Sequence, residues 1–167
     1  MTIAEAVESN NIEFIEKNIG TFDPNQNGQY DFPLLHRAAY LGHLEIIELL
    51  IDNGADIDIL DSDHLTPLHS IIDGNTNNWF DIIELLIKKK ANVNSYLTWR
   101  DKDESTSKES LLITAVKEKV WIEVIKLILE NGADVNFIDA EGDTAINYAQ
   151  AEDMTDIIDL LKRYGAK

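Results

Sequence analysis

The chain contains no cysteine. Disulfides and thiolate chemistry are therefore excluded, and the composition fits a reducing compartment. Proline is scarce as well: there are 3 in 167 residues, while hydrophobic residues make up 44%. That rules out a collagen-like or proline-rich disordered chain and leaves enough apolar material for one domain with a real core. Positive charge is the third shortage. The 14 Lys and Arg face 31 Asp and Glu, for a net charge of −17. Nucleic acid is thus a poor partner, because releasing counterions from phosphates needs clustered cations. No apolar run approaches the roughly 18 to 20 residues of a membrane helix. The opening stretch MTIAEAVESNNIEFIEKN carries acids at once, which is not the pattern of a secretory signal. The expectation is a soluble, cytoplasmic protein that contacts no membrane and is monomeric when free.

Motifs of catalysis are missing too. There is no phosphate-binding glycine–lysine loop, no GxGxxG, no GxSxG elbow and no HExxH pair. Carboxylates abound, so close pairs arise by chance, and none is matched to an apolar pocket. Four histidines without cysteine do not show the spacing of a metal site. The expectation is a chain without catalytic residues, metal or cofactor. A polar stretch, TSKES at residues 106–110, reads as a solvated loop that is open to modification. Lys88, Lys89 and Lys90 read as cations at a helix C-terminus.

What the chain does have is a period. His36 and His69 lie 33 residues apart, each followed by a short apolar helix pattern. A second helix comes next, LEIIELLI and then FDIIELLI, and each unit closes on a matching tail, GADID and KANVN. A third copy runs over residues 110–136 and a fourth over 139–166, while IAEAVESNNIEFIEKN supplies a helix pair ahead of them. In these segments Thr66 can cap a helix that Pro67 opens. Gly54 and Gly132 stand where a left-handed residue ends a helix, and Lys90 takes that place in the middle copy, where strain is expected. Gly42 breaks the chain between paired helices. Asn94 and Asn136 sit where an amide can bond neighbouring backbone.

TPLH, AAYLGHLEIIELLIDNGADI and NGADVN resemble the ankyrin repeat, whose period is about 33 residues. The resemblance implies an all-α solenoid of about five helix–turn–helix units joined by hairpin-like turns. Its units would be 2–27 as a cap, 28–60, 61–95, 96–138 with a long loop, and 139–167 as a second cap, all in one domain. It also implies that His36 and His69 bond within the turn and to the adjacent repeat. In the third and fourth copies Ile113 and Asn147 stand in their place.

Departures from the period point to a binding surface. Residues 73–81, DGNTNNWFD, carry about three extra residues, and SYLTWRDKDESTSKES lengthens the connection at 95–110. No Lys or Arg occurs between Arg37 and Lys88, where ten acids fall. The resemblance places turn tips and inner helices on one concave face. Asp61, Asp63, Asp73, Asp101, Asp103, Glu104, Glu141, Asp143, Glu152 and Asp153 would line it, with Tyr30, Tyr40, Trp79, Trp99 and Arg100 as further contacts. The partner expected is a basic protein, steered and oriented by that charge. Small acidic ankyrin proteins also resemble immunity proteins that neutralise a bacterial toxin such as a nuclease. The competing readings are a general adaptor and a regulator or effector acting on a cellular or host protein.

Overall fold

The computed structural model describes residues 1–28, 31–73, 79–100 and 106–167, with backbone alone at 72–73, 99–100 and 106–107. The chain divides into two compact units, Met1–Ala91 and Asn92–Lys167.

Unit one holds three helix pairs. They are α1 (Ile3–Glu8) with α2 (Ile12–Asn18), α3 (Leu34–Leu41) with α4 (Leu44–Asp52), and α5 (Pro67–Asp73) with α6 (Trp79–Lys88). The first helices of the pairs pack in one layer, α3 between α1 and α5, and the second helices pack in another, α4 between α2 and α6. The sequence of α4 explains why. Ile46, Ile47 and Leu50 are fully buried on one stripe, while Glu45, Glu48 and Asp52 face water. Each buried aliphatic side chain is worth about 1.5–3 kcal/mol. Helices of this length do not form alone, so the stripe's neighbours hold them. Substituting Leu50 by Ala in that layer is a change of about 2–5 kcal/mol.

Unit two begins with an antiparallel hairpin, β1 (Tyr96–Arg100) paired with β2 (Thr106–Ser110), Tyr96 opposite Ser110 and Trp99 opposite Ser107. Then come α7 (Leu111–Lys117), α8 (Ile122–Glu130), α9 (Ala145–Ala151) and α10 (Thr155–Arg163), with α7 packed on α9 and α8 on α10. In α10 Leu160 and Leu161 are buried, while Asp156, Asp159, Lys162 and Arg163 face solvent. The hairpin corrects two expectations. The connection at 96–109 is not simply a loop, because Tyr96, Leu97 and Thr98 favour the pleated conformation. Nor is TSKES a solvated loop: it forms β2, and its Glu109 and Ser110 are buried.

The backbone repeats along with the sequence. Every residue with positive φ among those described falls in one of three recurring places. Asp31, His64 and Gly142 stand at turn tips. Asn10, Gly42, Lys119 and Asp153 join the two helices of a pair. Gly54, Lys90, Gly132 and Gly165 follow the second helix. Lys90 therefore carries a side chain at φ +77°, where its counterparts are glycine, in agreement with the sequence.

Candidate functional site

The exposed turns ahead of the first helices of the pairs are built by aspartates. Asp61 Oδ1 accepts from the amides of Asp63 and Leu65, both at 2.9 Å, while the Asp61 amide donates to Leu65 O at 3.0 Å. Asp139 repeats the arrangement, accepting from the amides of Glu141 and Asp143 at 2.9 Å. Each carboxylate also lies beside a hydroxyl of the helix that follows: Ser70 Oγ stands 3.4 Å from Asp61 Oδ2, and Tyr148 Oη donates to Asp139 Oδ2 at 2.6 Å. Asp61 is buried as a result. In the turn before α3 the same place is held by Gly28, where a Cβ would come within 2.9 Å of Leu34 Cδ2.

The two motif histidines tie these turns down. His36 Nε2 donates to Ile59 O at 2.8 Å and its Nδ1 meets Ser70 Oγ at 2.9 Å, linking α3 to the next turn and to α5. His69 Nδ1 meets Thr66 Oγ1 at 2.9 Å across its own helix start. Its Nε2 is buried without a hydrogen-bond partner among the described residues. Burial lowers the pKa of both histidines, with that of His69 pushed down to about 4. Both are neutral at pH 7 and enclosed. Their geometry is that of structural links.

Unit two adds a polar chain that runs from hairpin to last repeat. Glu109 at the end of β2 accepts from Thr114 Oγ1 at 2.8 Å and from Lys117 Nζ at 2.5 Å. The Lys117 ammonium lies 5.1 Å from the centre of the Tyr148 ring. The Tyr148 hydroxyl reaches Glu141 Oε2 at 2.7 Å as well as Asp139. Burial and these two carboxylates push its pKa up. On the strand before them, Tyr96 stacks with Phe137 at 6.3 Å and carries Lys108 over its ring at 4.5 Å.

Asparagines provide the rungs between the tails. Asn94 Nδ2 donates to Gly132 O at 3.0 Å and its Oδ1 accepts from the Asp134 amide at 2.8 Å. Asn136 does the same to Gly165 and Lys167, and Asn25 to Gly54 and Asp56. The sequence profile of the family described as ankyrin repeats (3 copies) matches residues 3–96, more than half of the chain.

The chain belongs to the ankyrin repeat family. Beyond residue 96 the helix pairs α7/α8 and α9/α10 continue the same three-place backbone pattern. Similar proteins bear the same name. An ankyrin repeat protein of fowlpox virus is 29% identical over 83% of this chain and 16% of its own length. A second fowlpox protein is 37% identical over 76% of the chain and 17% of its own. One from Rickettsia bellii is 34% identical over 72% of the chain and 33% of its own. The chain thus spans between a sixth and a third of the length of these three relatives. Ankyrin repeats are modules of protein–protein interaction. Among the described residues no helix is long and apolar enough to cross a membrane.

Measured against this ankyrin frame, the residues expected to form a binding face divide. Asp63, Glu141, Glu152 and Asp153 are exposed, Asp143 and Trp79 half-buried, and Tyr40 is 53% exposed with the Arg37 guanidinium 5.3 Å from its ring centre. Glu152 is paired with Lys119 at 2.8 Å. Asp61 is a correction: its carboxylate is buried and bonded inside its turn, so it offers no contact surface. Tyr30, Asp101, Asp103, Glu104 and the side chains of Asp73, Trp99 and Arg100 lie outside the described residues. Sequence reading missed Lys117, Tyr148 and Arg37. A signal for the turn aspartates was available, since Asp61 and Asp139 each stand eight residues before the histidine position of the motif, at His69 and Asn147.

Proposed function

We propose that the chain acts as one non-catalytic protein-binding module that takes a basic protein through the exposed acids of its turns. One observation carries the reading. On each aspartate-built turn the first carboxylate, Asp61 or Asp139, accepts the turn amides, while the next, Asp63 or Glu141, is exposed, Glu141 also accepting from Tyr148 Oη. No Lys or Arg occurs between Arg37 and Lys88 in the stretch that carries Asp63. Solvent-facing carboxylates of one sign raise the encounter rate with a cationic surface and fix its orientation. In its most specific form the partner is a toxin domain, such as a nuclease, and the chain its cytoplasmic immunity protein. Charge and repeat class support that form. An adaptor or regulatory role uses the same surface on a different basic target.

The test is a pull-down at low and high salt with the retained protein identified. It is then repeated with Asp63, Glu141, Asp143 and Asp153 all changed to Lys. The expected result is a basic protein whose retention falls with salt and is lost in the variant. Asp61→Asn is the control, because Asn Oδ1 still accepts both turn amides while one charge disappears. Its effect on affinity should be small. Unchanged binding in the quadruple variant removes the acids from the mechanism. Rescue of cells that express a candidate toxin separates an immunity protein from an adaptor.

A further inference from the structure

We infer that a cavity lined from α3 and α5 is an anchor pocket for one aromatic side chain of the basic partner proposed above. It lies wholly within the first unit, holds about 220 Å³, and is lined by Phe32, His36, Arg37, Tyr40 and Ser70. An apolar cavity of roughly 150 Å³ is enough for benzene, so this one has room for an indole or phenol ring. Phe32 is half-buried, and Tyr40 lines the cavity while keeping half of its surface in water. Aromatic walls with one face still wet gain most from a ring laid against them.

The chemistry of the guest follows by elimination. Both ring nitrogens of His36 are engaged, and Ser70 Oγ is bonded to one of them. Arg37 offers Nε and Nη2 to the two carboxylate oxygens of Glu8. An anion entering the cavity therefore finds that edge of the guanidinium occupied, and a cation meets the guanidinium itself. An apolar ring escapes both objections. Next to lining residues in the chain, Asp31 precedes Phe32 and accepts from Asn27, and Asp63 stands in the turn whose Asp61 lies 3.4 Å from Ser70. Both are exposed acids. A ring flanked by Lys or Arg matches these neighbouring acids as well as the cavity. This inference rests on the basic-partner reading for those flanks alone, and it adds an anchor that charge does not supply.

Nuclear magnetic resonance titration of the full chain with three capped tripeptides tests it: lysine–tryptophan–lysine, lysine–alanine–lysine and glutamate–tryptophan–glutamate. The expected result is saturable shifts at Phe32, Tyr40 and Ser70 with the first peptide, about tenfold tighter than with the second. Tyr40→Ala should erase that margin, and Tyr40→Phe should keep it; Tyr40 is exposed, so neither change threatens the fold. Equal affinity for lysine–alanine–lysine and lysine–tryptophan–lysine overturns the pocket and leaves the acidic reading intact. Equal affinity for the two tryptophan peptides, with shifts at the cavity, supports the pocket and counts against a basic partner. Tryptophan-dependent shifts that map elsewhere, or none at all, overturn the anchor.

Discussion

Lys90 tests how the repeats close. It holds φ +77° where Gly54 and Gly132 hold +95° and +89°. A side chain in the left-handed region costs about 1–2 kcal/mol, because Cβ approaches the following carbonyl. Glycine avoids the clash and gives back about 0.4–1 kcal/mol, since its unfolded chain samples more conformations. Lys90→Gly is therefore expected to stabilise the protein by about 0.5–1 kcal/mol, a rise in Tm of about 2–3 °C for this size. One competing contribution must be separated. Lys90 lies just past α6, which ends at Lys88, and a cation at a helix C-terminus is worth about 0.3–1 kcal/mol. Lys90→Ala removes that charge and keeps Cβ, so the difference between the Gly and Ala variants isolates the backbone. Gly54→Ala is the mirror image. A Cβ at Gly54 meets nothing within 4 Å, so its loss of about 1 kcal/mol is conformational alone. The assay is urea unfolding, with the slope checked for constancy. If Lys90→Gly is no more stable than Lys90→Ala, the left-handed position stores no strain and the reasoning fails.

Acid should weaken the fold through the buried histidines. Burial sets His69 at about 4 against an ordinary 6.5, and lowers His36 too. The unfolded chain then takes the proton first. Stability is complete above about pH 7 and falls from about pH 6.5 towards 4, by about 3 kcal/mol for His69. Urea midpoints near neutrality and near pH 5 should show the drop, and His69→Asn should reduce it, leaving the share of His36; a midpoint independent of pH refutes the assignment. Lys117→Met should cost about 1–2 kcal/mol, because the carboxylate of buried Glu109 loses its cation. Adding Glu109→Gln should restore most of that, and a double-mutant cycle without coupling energy would remove the bridge from the account.

The helix pairs were legible because each repeats one solution to the same problem. A stripe such as Ile46, Ile47 and Leu50 recurs with a left-handed residue four positions on (Gly54, Lys90, Gly132) and a short polar Asp or Asn eight positions on (Asp58, Asn94, Asn136), and a periodic cause leaves a periodic trace. His36 and His69 were legible as architecture for the same reason. The hairpin was not. Its strands mix Thr, Trp, Lys and Glu, so their charge read as loop while the aromatic Trp99 read as a partner contact. Asp61 was misplaced on a more specific ground. Two aspartates two residues apart look equivalent in a sequence, and only the turn decides that the first accepts both amides and the second faces solvent.

That distinction bears on what the charge of −17 means. A long-range field counts every ionised carboxylate, including Asp61 and Asp139, and it governs how fast a basic partner arrives. Contact counts only those with surface to offer, and it governs how slowly the partner leaves. An acid-rich repeat protein therefore has a strong field and a weak grip, since solvent-exposed ion pairs contribute about 0–1 kcal/mol each. Tight binding needs something apolar that excludes water beside the acids. In the first unit, the aromatic-walled cavity between Phe32 and Tyr40 is placed to provide it.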